Sequence, residues 1–403
     1  MRELKRILRE ADLLRAEDVP AVVATIVEIE GSSYRLEGAR MLVRPDGKYV
    51  GTISGGCLEG EVAERAKGVL ETGAPDLVTL EQQEGEDPFG FGSGCGGTIH
   101  VLLEPFRSDD DALGALSLVR HCMEHRTAGA LATVYRTEGD LDSEKGHHLL
   151  VTTPAASGRG DIESDALRKA VAADAADVLR RGRALQTGYT LDRGRVDVMI
   201  EHVEPPLRLL IFGEEHDAEP LVRQANLLGW EPVVIGGSPV PELEEHFPDA
   251  AGHVALPHPE EVSEVLPHVG TRDAAVVMSH NYIRDRAVLR FLLRSDVGYV
   301  GALGARSRLE QLAEDFAEGE TSADRAAQEA MADGRLHAPV GLDIGAETPE
   351  EIALSVAAEV QTVFAGASGG FLSDGTGRIH PSTVRPETDQ AGAASADGDP
   401  ATA

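Results

Sequence analysis

The chain has 403 residues, a hydrophobic content of 42% and a formal net charge of −32, with 69 acidic and 37 basic side chains. This length exceeds what one hydrophobic core usually supports, so we expect two globular domains and a tail. The acidic excess argues against nucleic acid as a partner, because a polyphosphate would be repelled over most of the surface.

Three scattered cysteines give no disulfide framework, which favours the reducing cytoplasm. No apolar run reaches the roughly 18 residues of a membrane span, so we expect no membrane partner. The acidic, lysine-poor and alanine-rich composition extends along the whole chain and indicates adaptation to a salty cytoplasm, where charge repulsion is screened. The alternative is an ordinary acidic protein.

Residues 1–205 predict an α+β domain. The chain opens with an amphipathic helix, MRELKRILREADLL, and residues 21–33 form a strand rich in β-branched side chains. Asp46-Gly47 predicts a hairpin between two short strands, and a glycine turn leads into a helix over residues 57–71. The rest of this domain alternates helix-like with strand-like runs, and Pro205-Pro206 predicts a hinge at its end.

Residues 206–368 alternate short buried strands with helices, which predicts a Rossmann-like parallel sheet with right-handed crossovers. The last helix has an explicit start signal, with Thr348 as N-cap and Glu351 completing a capping box. Residues 369–403 have no apolar period and predict a flexible, disordered acidic tail. The expected fold class is therefore α/β, with an α+β domain before a parallel one.

Segments along the chain resemble the XdhC/CoxI family, which serves molybdenum hydroxylases such as xanthine dehydrogenase. They are GSSYRLEGARMLV, GTISGGCLEGEV and GSGCGGTIHVLLEP, then VVMSHNYIRD, YVGALGARSR and RLHAPVGLDIGAETPEEIALSVAAEV, in a consistent order over residues 20–365. The resemblance implies an oligomeric chaperone that holds the molybdenum cofactor, with or without an attached cytidine nucleotide, and passes it to the hydroxylase apoenzyme. It implies no turnover of its own, and a cysteine desulfurase as a second partner.

Two cysteines lie in glycine loops where this cofactor could be held. A thiolate at a helix N-terminus is a soft metal ligand, and glycine N–H groups suit a phosphate. The alternative is that either cysteine is a small buried residue in a turn. Cys122 lies in the middle of a predicted amphipathic helix, so we expect it in the core. The candidate cofactor-binding residues of the first domain are Gly55, Gly56, Cys57, Cys95, Gly96 and Gly97, with Cys57 and Cys95 as candidate molybdenum contacts.

Arg35 and Arg40 flank the GSSYRLEGAR turn and could neutralise a phosphate in so acidic a protein. We include Arg40 among the candidate cofactor-binding residues. The alternative is ion pairing with Glu37 or Glu59.

The first turn of the Rossmann-like domain reads Gly213-Glu214-Glu215-His216, where relatives carry Gly-Ala-Gly-His. Glu215 therefore takes the place of the second glycine. We expect the Glu215 side chain to occupy the pyrophosphate space. The second strand ends in glycines instead of the acid that binds a ribose, so ordinary NAD binding is not expected.

Polar residues nevertheless collect where the parallel strands end, which is the usual ligand crevice of such a sheet. Gly213, His216, His280 and Arg306 are the candidate ligand-binding residues there, and convergence of His216 with Glu215 and Asp285 would make a divalent metal site. The sequence also leaves two enzymatic alternatives to the chaperone, a nicotinamide-dependent oxidoreductase and a thiol-based sulfur transferase.

Overall fold

The structure of the protein is a computed structural model that describes residues 1–81, 97–106, 113–152, 158–266, 268–319 and 321–375. Within these ranges, no helix is long and apolar enough to cross a membrane. Most of the predicted tail, residues 376–403, lies outside them. Its first residues are described and include an exposed 3-10 turn, Leu372–Asp374.

The N-terminal part is α+β, as predicted, and it contains two antiparallel five-stranded sheets. In the first sheet the strand order is β3-β2-β1-β5-β4, and the predicted hairpin joins β2 to β3 through Gly47, whose φ is +80°. The helix predicted over residues 57–71 begins two residues later. The elements are α1 (Arg2–Ala16), β1 (Ala21–Glu30), β2 (Arg40–Val43), β3 (Tyr49–Gly51), α2 (Glu59–Thr72), β4 (Asp76–Glu81) and β5 (Thr98–Phe106).

The second sheet has the order β8-β7-β6-β10-β9, which repeats the arrangement of the first. Cys122 is fully buried on its helix, as expected, and burial raises the pKa of its thiol to about 11. The elements are α3 (Ala115–Glu124), β6 (Gly129–Gly139), β7 (His148–Thr152), β8 (Arg159–Gly160), α4 (Asp165–Arg181), β9 (Leu185–Leu191) and β10 (Gly194–Val203).

The two sheets match in register as well as in order. Thr25 pairs with Arg40 in the first sheet as Thr133 pairs with His148 in the second. Each central strand has one bulge at the matching place, at Val27 in β1 and at Tyr135 in β6. Each sheet also has one helix between its third and fourth strands. The N-terminal part is therefore two copies of one supersecondary unit.

The copies pack together through matching residues. Val27, Tyr135, Leu102 and Met199 form a small buried cluster, and the two bulged residues are among its members. Beside it, one buried ion pair joins Arg40 to Glu201 and another joins His148 to Glu104, whose Nε2–Oε1 distance is 2.7 Å. Each pair connects the second strand of one copy to the fifth strand of the other.

The C-terminal part is the predicted Rossmann-like sheet, with six parallel strands in the order β13-β12-β11-β14-β15-β16. The capping box of Thr348 and Glu351 is present. The elements are β11 (Arg208–Phe212), α5 (Ala218–Leu228), β12 (Glu231–Gly236), α6 (Val240–His246), β13 (Gly252–Ala255), a 3-10 turn (Pro259–Glu261), α7 (Val262–Val265), β14 (Asp273–Val277), α8 (Tyr282–Leu292), β15 (Tyr299–Ala302), α9 (Arg306–Glu318), α10 (Ser322–Ala332), β16 (Leu336–His337) and α11 (Pro349–Ala365).

The connection at Pro205-Pro206 is buried and hydrogen-bonded rather than loose. The Arg126 guanidinium donates to the Pro206 carbonyl at 3.2 Å, and Arg272 donates to the Pro205 carbonyl at 3.4 Å. Arg126 also pairs with Glu231 on β12, at 2.5 Å. These bonds correct the expectation of a hinge, while the domain boundary at residue 205 stays a prediction.

Candidate functional site

Two described loops and Gly97 lie at one edge of the first sheet. β1 ends at Glu30, which pairs with Thr98, the first residue of β5. β3 runs toward that edge and ends at Gly51. Segment 31–39, segment 52–58 and Gly97 therefore lie together at that edge. Cys95 and Gly96 lie outside the described residues, so the position of the second predicted thiol stays a prediction.

Two glycines allow these loops to approach one another. A Cβ on Gly97 would lie 2.2 Å from the carbonyl oxygen of Ser32, and one on Gly55 would lie 3.1 Å from the Tyr34 ring. Gly55 also has a φ of +82°, a left-handed conformation that side chains disfavour. Segment 31–39 is thus packed between the Cys57 loop and the chain just after Cys95.

The backbone around Cys57 is fixed by a buried carboxylate. Glu59, the first residue of α2, is fully buried and accepts hydrogen bonds from the N–H groups of Ile53 and Ser54 at 3.0 and 2.9 Å. Its other oxygen accepts from the Ser54 hydroxyl at 2.6 Å and from the Gly56 N–H at 3.0 Å. Burial opposes ionisation of Glu59, but the hydrogen bonds from Ser54 and Ile53 outweigh it and lower the pKa to about 2.

This arrangement presents Cys57 but engages three N–H groups that we expected to face an anion. Cys57 is exposed, so its thiol can meet a ligand. Its own N–H, however, donates to the Ser54 hydroxyl oxygen at 3.0 Å, and the Leu58 N–H does the same at 2.8 Å. Since Glu59 takes the Gly56 N–H, these donors are already used and do not face a phosphate.

The structure also corrects the role expected for Arg40. Its guanidinium is only 5% exposed, and both terminal nitrogens donate to Glu201 of the second sheet. Arg35 donates to Thr52 at 2.9 Å and to Glu3 at 2.6 Å. Neither arginine pairs with Glu37 or Glu59 through these contacts. A cleft of about 220 Å³ beside Arg35 and Arg40 is lined by α1 and β10.

In the Rossmann-like part, Gly213 is needed for close packing, since a Cβ there would lie 2.8 Å from the Met278 carbonyl oxygen. Glu215, which we expected to fill the pyrophosphate space, is exposed. Glu214 turns inward instead and accepts the Ser238 N–H at 3.0 Å beside Gly236. An acidic side chain thus covers the end of β12, where a dinucleotide ribose would bind.

The remaining polar residues at this edge are largely engaged with one another. His280 has a φ of +55°, and its Nε2 lies 2.8 Å from Oδ2 of Asp217. Asp285 is buried and accepts from the Ser279 hydroxyl at 2.5 Å and from Arg308 at 2.6 Å. Asp285 is thus paired with Ser279 and Arg308, and the cluster of possible metal ligands that contains His216 does not include it. Arg306 is exposed at the first position of α9.

Sequence reasoning missed Glu59 as an organiser of the Cys57 loop and Glu201 as the partner of Arg40. An acid at the first helical position after Ser-Gly-Gly could have indicated the former. A glutamate inside the apolar run VDVMIEHV could have indicated a buried pair. His246, which lies beside His216, had no such signal because it is 30 residues away.

The protein therefore consists of two copies of an antiparallel unit, of which the first carries the exposed Cys57, and a Rossmann-type sheet without the usual dinucleotide-binding turn. The family model described as the XdhC and CoxI family matches residues 14–81 and 122–189, one segment in each copy. The one described as the XdhC Rossmann domain matches residues 209–360. The chain belongs to the XdhC and CoxI family.

Two relatives and one solved structure match this chain along most of their own length. A Bacillus subtilis protein, named as a probable xanthine dehydrogenase subunit, is 30% identical over 87% of this chain and 94% of its own. The Escherichia coli molybdenum cofactor insertion chaperone PaoD is 26% identical over 85% of this chain and 83% of its own. A Bacillus halodurans crystal structure titled a xanthine dehydrogenase has a TM-score of 0.67 at 27% identity, covering 90% of this chain and 96% of that one.

Proposed function

We propose that this protein binds the molybdenum cofactor as a cargo and inserts it into the apoenzyme of a molybdenum hydroxylase related to xanthine dehydrogenase. Family membership supports the proposal, as does the similarity to a chaperone named for this task over most of both chains. The structural observation that carries it is the exposed Cys57 thiol on a loop held by Glu59.

The chemistry of Cys57 suits the cargo. Molybdenum held by a pterin dithiolene is a soft centre, and a thiolate is a soft ligand. The hydrogen bonds to Glu59 and Ser54 fix the loop before any cargo arrives, so binding does not have to order it. We propose Cys95, two residues before Gly97 in the sequence, as the second thiol. Because Arg40 is committed to Glu201, we assign the phosphate no contact with it.

The cargo we propose is molybdopterin, with or without a cytidine nucleotide, and the protein acts on it without turnover. We extend the proposal to a homo-oligomer in a salty cytoplasm and to a cysteine desulfurase as second partner. The acidic, cysteine-poor composition is consistent with this compartment. The nicotinamide alternative loses support, because the Glu214 carboxylate covers the end of β12.

The test is anaerobic purification from a molybdenum-replete host, followed by oxidative release of bound pterin and measurement of its fluorescence. We expect pterin with the wild type and at least about tenfold less with Cys57→Ala or Cys95→Ala, since losing a ligand costs no less than losing an outer-shell partner. Cys122→Ala, a buried cysteine on α3, is the matched control and should retain pterin.

Folded wild-type protein without pterin would refute the chaperone function. Equal pterin in all three variants would refute only the cysteine assignment. Saturable micromolar binding of NADH, followed by fluorescence, would favour the oxidoreductase alternative instead.

A further inference from the structure

Three side chains of the Rossmann-like part converge on one point of its surface. His216 Nδ1 and His246 Nε2 each lie 3.3 Å from Oε1 of Glu219. The two ring nitrogens lie 3.4 Å apart. We propose that these three residues form a binding site for Zn²⁺. The site involves neither Cys57 nor the proposed cargo, so it can fail or succeed independently of the proposed function.

The backbone holds the three ligands in place from well-packed elements. His216 lies in the turn after β11, and Glu219 follows three residues later in the first turn of α5, which is anchored by buried Ala218 and Leu221. His246 is the last residue of α6, where Leu243 and Phe247 are buried on either side of it. The Phe247 ring also packs on the His246 imidazole, with centroids 4.5 Å apart.

The triangle of donor atoms has the size of one face of a zinc tetrahedron. Zinc binds nitrogen and oxygen at about 2.1 Å, so tetrahedral ligand atoms lie ~3.4 Å apart. An octahedral ion with bonds of about 2.1 Å would need donor atoms only ~3.0 Å apart. The observed edges of 3.3, 3.3 and 3.4 Å match the tetrahedron. The two imidazole nitrogens favour zinc over magnesium, because magnesium binds mainly through oxygen atoms.

The donor set and its surroundings also suit zinc. Two imidazoles and one carboxylate are a common zinc ligand set. Arg223 donates to the other carboxylate oxygen of Glu219, Oε2, at 2.9 Å, which leaves Oε1 as a single ligand atom. The His216 side chain is 89% exposed. The fourth tetrahedral position therefore faces solvent and would take water or an anionic oxygen atom.

The competing explanation for these distances is hydrogen bonding alone. One imidazole would then donate its N–H to Oε1 of Glu219, and the other would share that oxygen or pair with the first ring across 3.4 Å. A metal ion would instead use a lone pair from each ring and one from the carboxylate. Metal binding separates the two explanations directly.

The experiment titrates the full-length protein with Co²⁺ and then with Zn²⁺, after treatment with EDTA and desalting. We expect one Co²⁺ per chain with the intense visible bands of a tetrahedral site, no near-ultraviolet thiolate absorption, and displacement by one equivalent of Zn²⁺. His246→Ala and Glu219→Gln should each weaken binding by at least about tenfold. His258→Ala, an exposed histidine before the 3-10 turn, is the control and should leave binding unchanged.

Circular dichroism of each variant shows whether it is folded. A weak octahedral spectrum, a thiolate band or binding unchanged in His246→Ala would each overturn the proposal. A thiolate band would assign the metal to the cysteines instead. If His246→Ala fails to fold, the loss of metal binding in Glu219→Gln and His216→Ala, the other two ligands, tests the proposal.

Discussion

The two antiparallel sheets share a scaffold and differ in their loops. Strand order, register and the position of the bulge agree between them. Yet β9 and β10 are joined by residues 192–193 alone, where the first copy has residues 82–97 between β4 and β5. A shared frame with divergent connections indicates that the common strands build the core of both copies, while the connections are free to differ.

The turn before the single inserted helix shows the same division. In the second copy Ser164 is an ordinary N-cap that accepts the Leu167 N–H at 3.4 Å. In the first copy Glu59 reaches back from α2 to hold the Cys57 loop. One helix start is merely capped, while the other is built around an exposed thiol. The following experiments measure what the contacts between the copies and the contacts around the Cys57 loop contribute to stability.

The largest effect is expected at the ion pair that joins the copies. Arg40→Leu leaves the Glu201 carboxylate buried without its cation, so the free energy of unfolding should fall by about 3–5 kcal/mol. Urea denaturation measures this loss. Arg40→Leu combined with Glu201→Leu should recover part of it, because no buried charge remains. A loss below about 1 kcal/mol for the single variant would mean that the pair does not hold the copies together.

The next effect concerns the acid that holds the Cys57 loop. Glu59→Gln exchanges a charged acceptor for an amide, so the free energy of unfolding should fall by roughly 1.5–3 kcal/mol at neutral pH. The folded state lowers the pKa of Glu59 to about 2. The contribution of this carboxylate to stability is therefore present above about pH 4.5 and is lost as the pH falls toward 2.

Thermal melts from pH 7 to pH 3 should show the difference between wild type and Glu59→Gln shrinking with acid. Glu61→Gln, an exposed acid on the same helix, should match the wild type throughout. A constant difference across this range would contradict the role given to the Glu59 carboxylate.

A smaller effect, of opposite pH dependence, is expected for the second ion pair. Burial alone would lower the pKa of His148, but the Glu104 carboxylate outweighs it and raises the pKa above the ordinary value. The contribution of His148 is therefore complete below about pH 6.5 and is lost as the pH rises through its raised pKa. Melts of wild type and His148→Gln from pH 6 to pH 9 should converge, and a difference that persists at pH 9 would contradict the role given to this pair.

The smallest effect is expected for Cys57 itself. Cys57→Ala should change the free energy of unfolding by less than about 0.5 kcal/mol, because the side chain is exposed. Cys122→Ser places a hydroxyl in the apolar core of the second copy and should cost about 1–3 kcal/mol. Urea denaturation measures the loss in both variants. A large loss in Cys57→Ala would mean that this thiol has a packing role.

Local patterns were sufficient to predict most elements. The Asp46-Gly47 hairpin, the capping box at Thr348 and the parallel C-terminal sheet are all confirmed. Each depends on residues within a few positions of one another or on a regular repeat of strand and helix. The duplication of the first five strands escaped prediction because the copies share register and topology, which a scan of residue types does not show.

The sequence predicted the surroundings of a candidate residue well where they depend on local residues, and poorly where they depend on a partner far along the chain. Cys57 is exposed at a helix start, as its glycine loop suggested. Arg40 is not at a ligand site, because its partner Glu201 lies 161 residues away on another sheet. Glu214, rather than Glu215, fills the space beside β12, since the direction of each side chain depends on the turn that the backbone makes.

The sequence by itself determined the order of the elements, the loss of the dinucleotide-binding motif from the first turn of the Rossmann-like part, and the position of each cysteine among glycines. These features depend on short-range propensity and spacing. Only the tertiary structure decided which charges pair with one another. Arg40 and Glu201, His148 and Glu104, and the triangle of His216, Glu219 and His246 are assembled by packing between distant segments. A charged residue can bind a ligand only where the fold has not already paired it with another side chain. That pairing depends on the three-dimensional packing of distant segments.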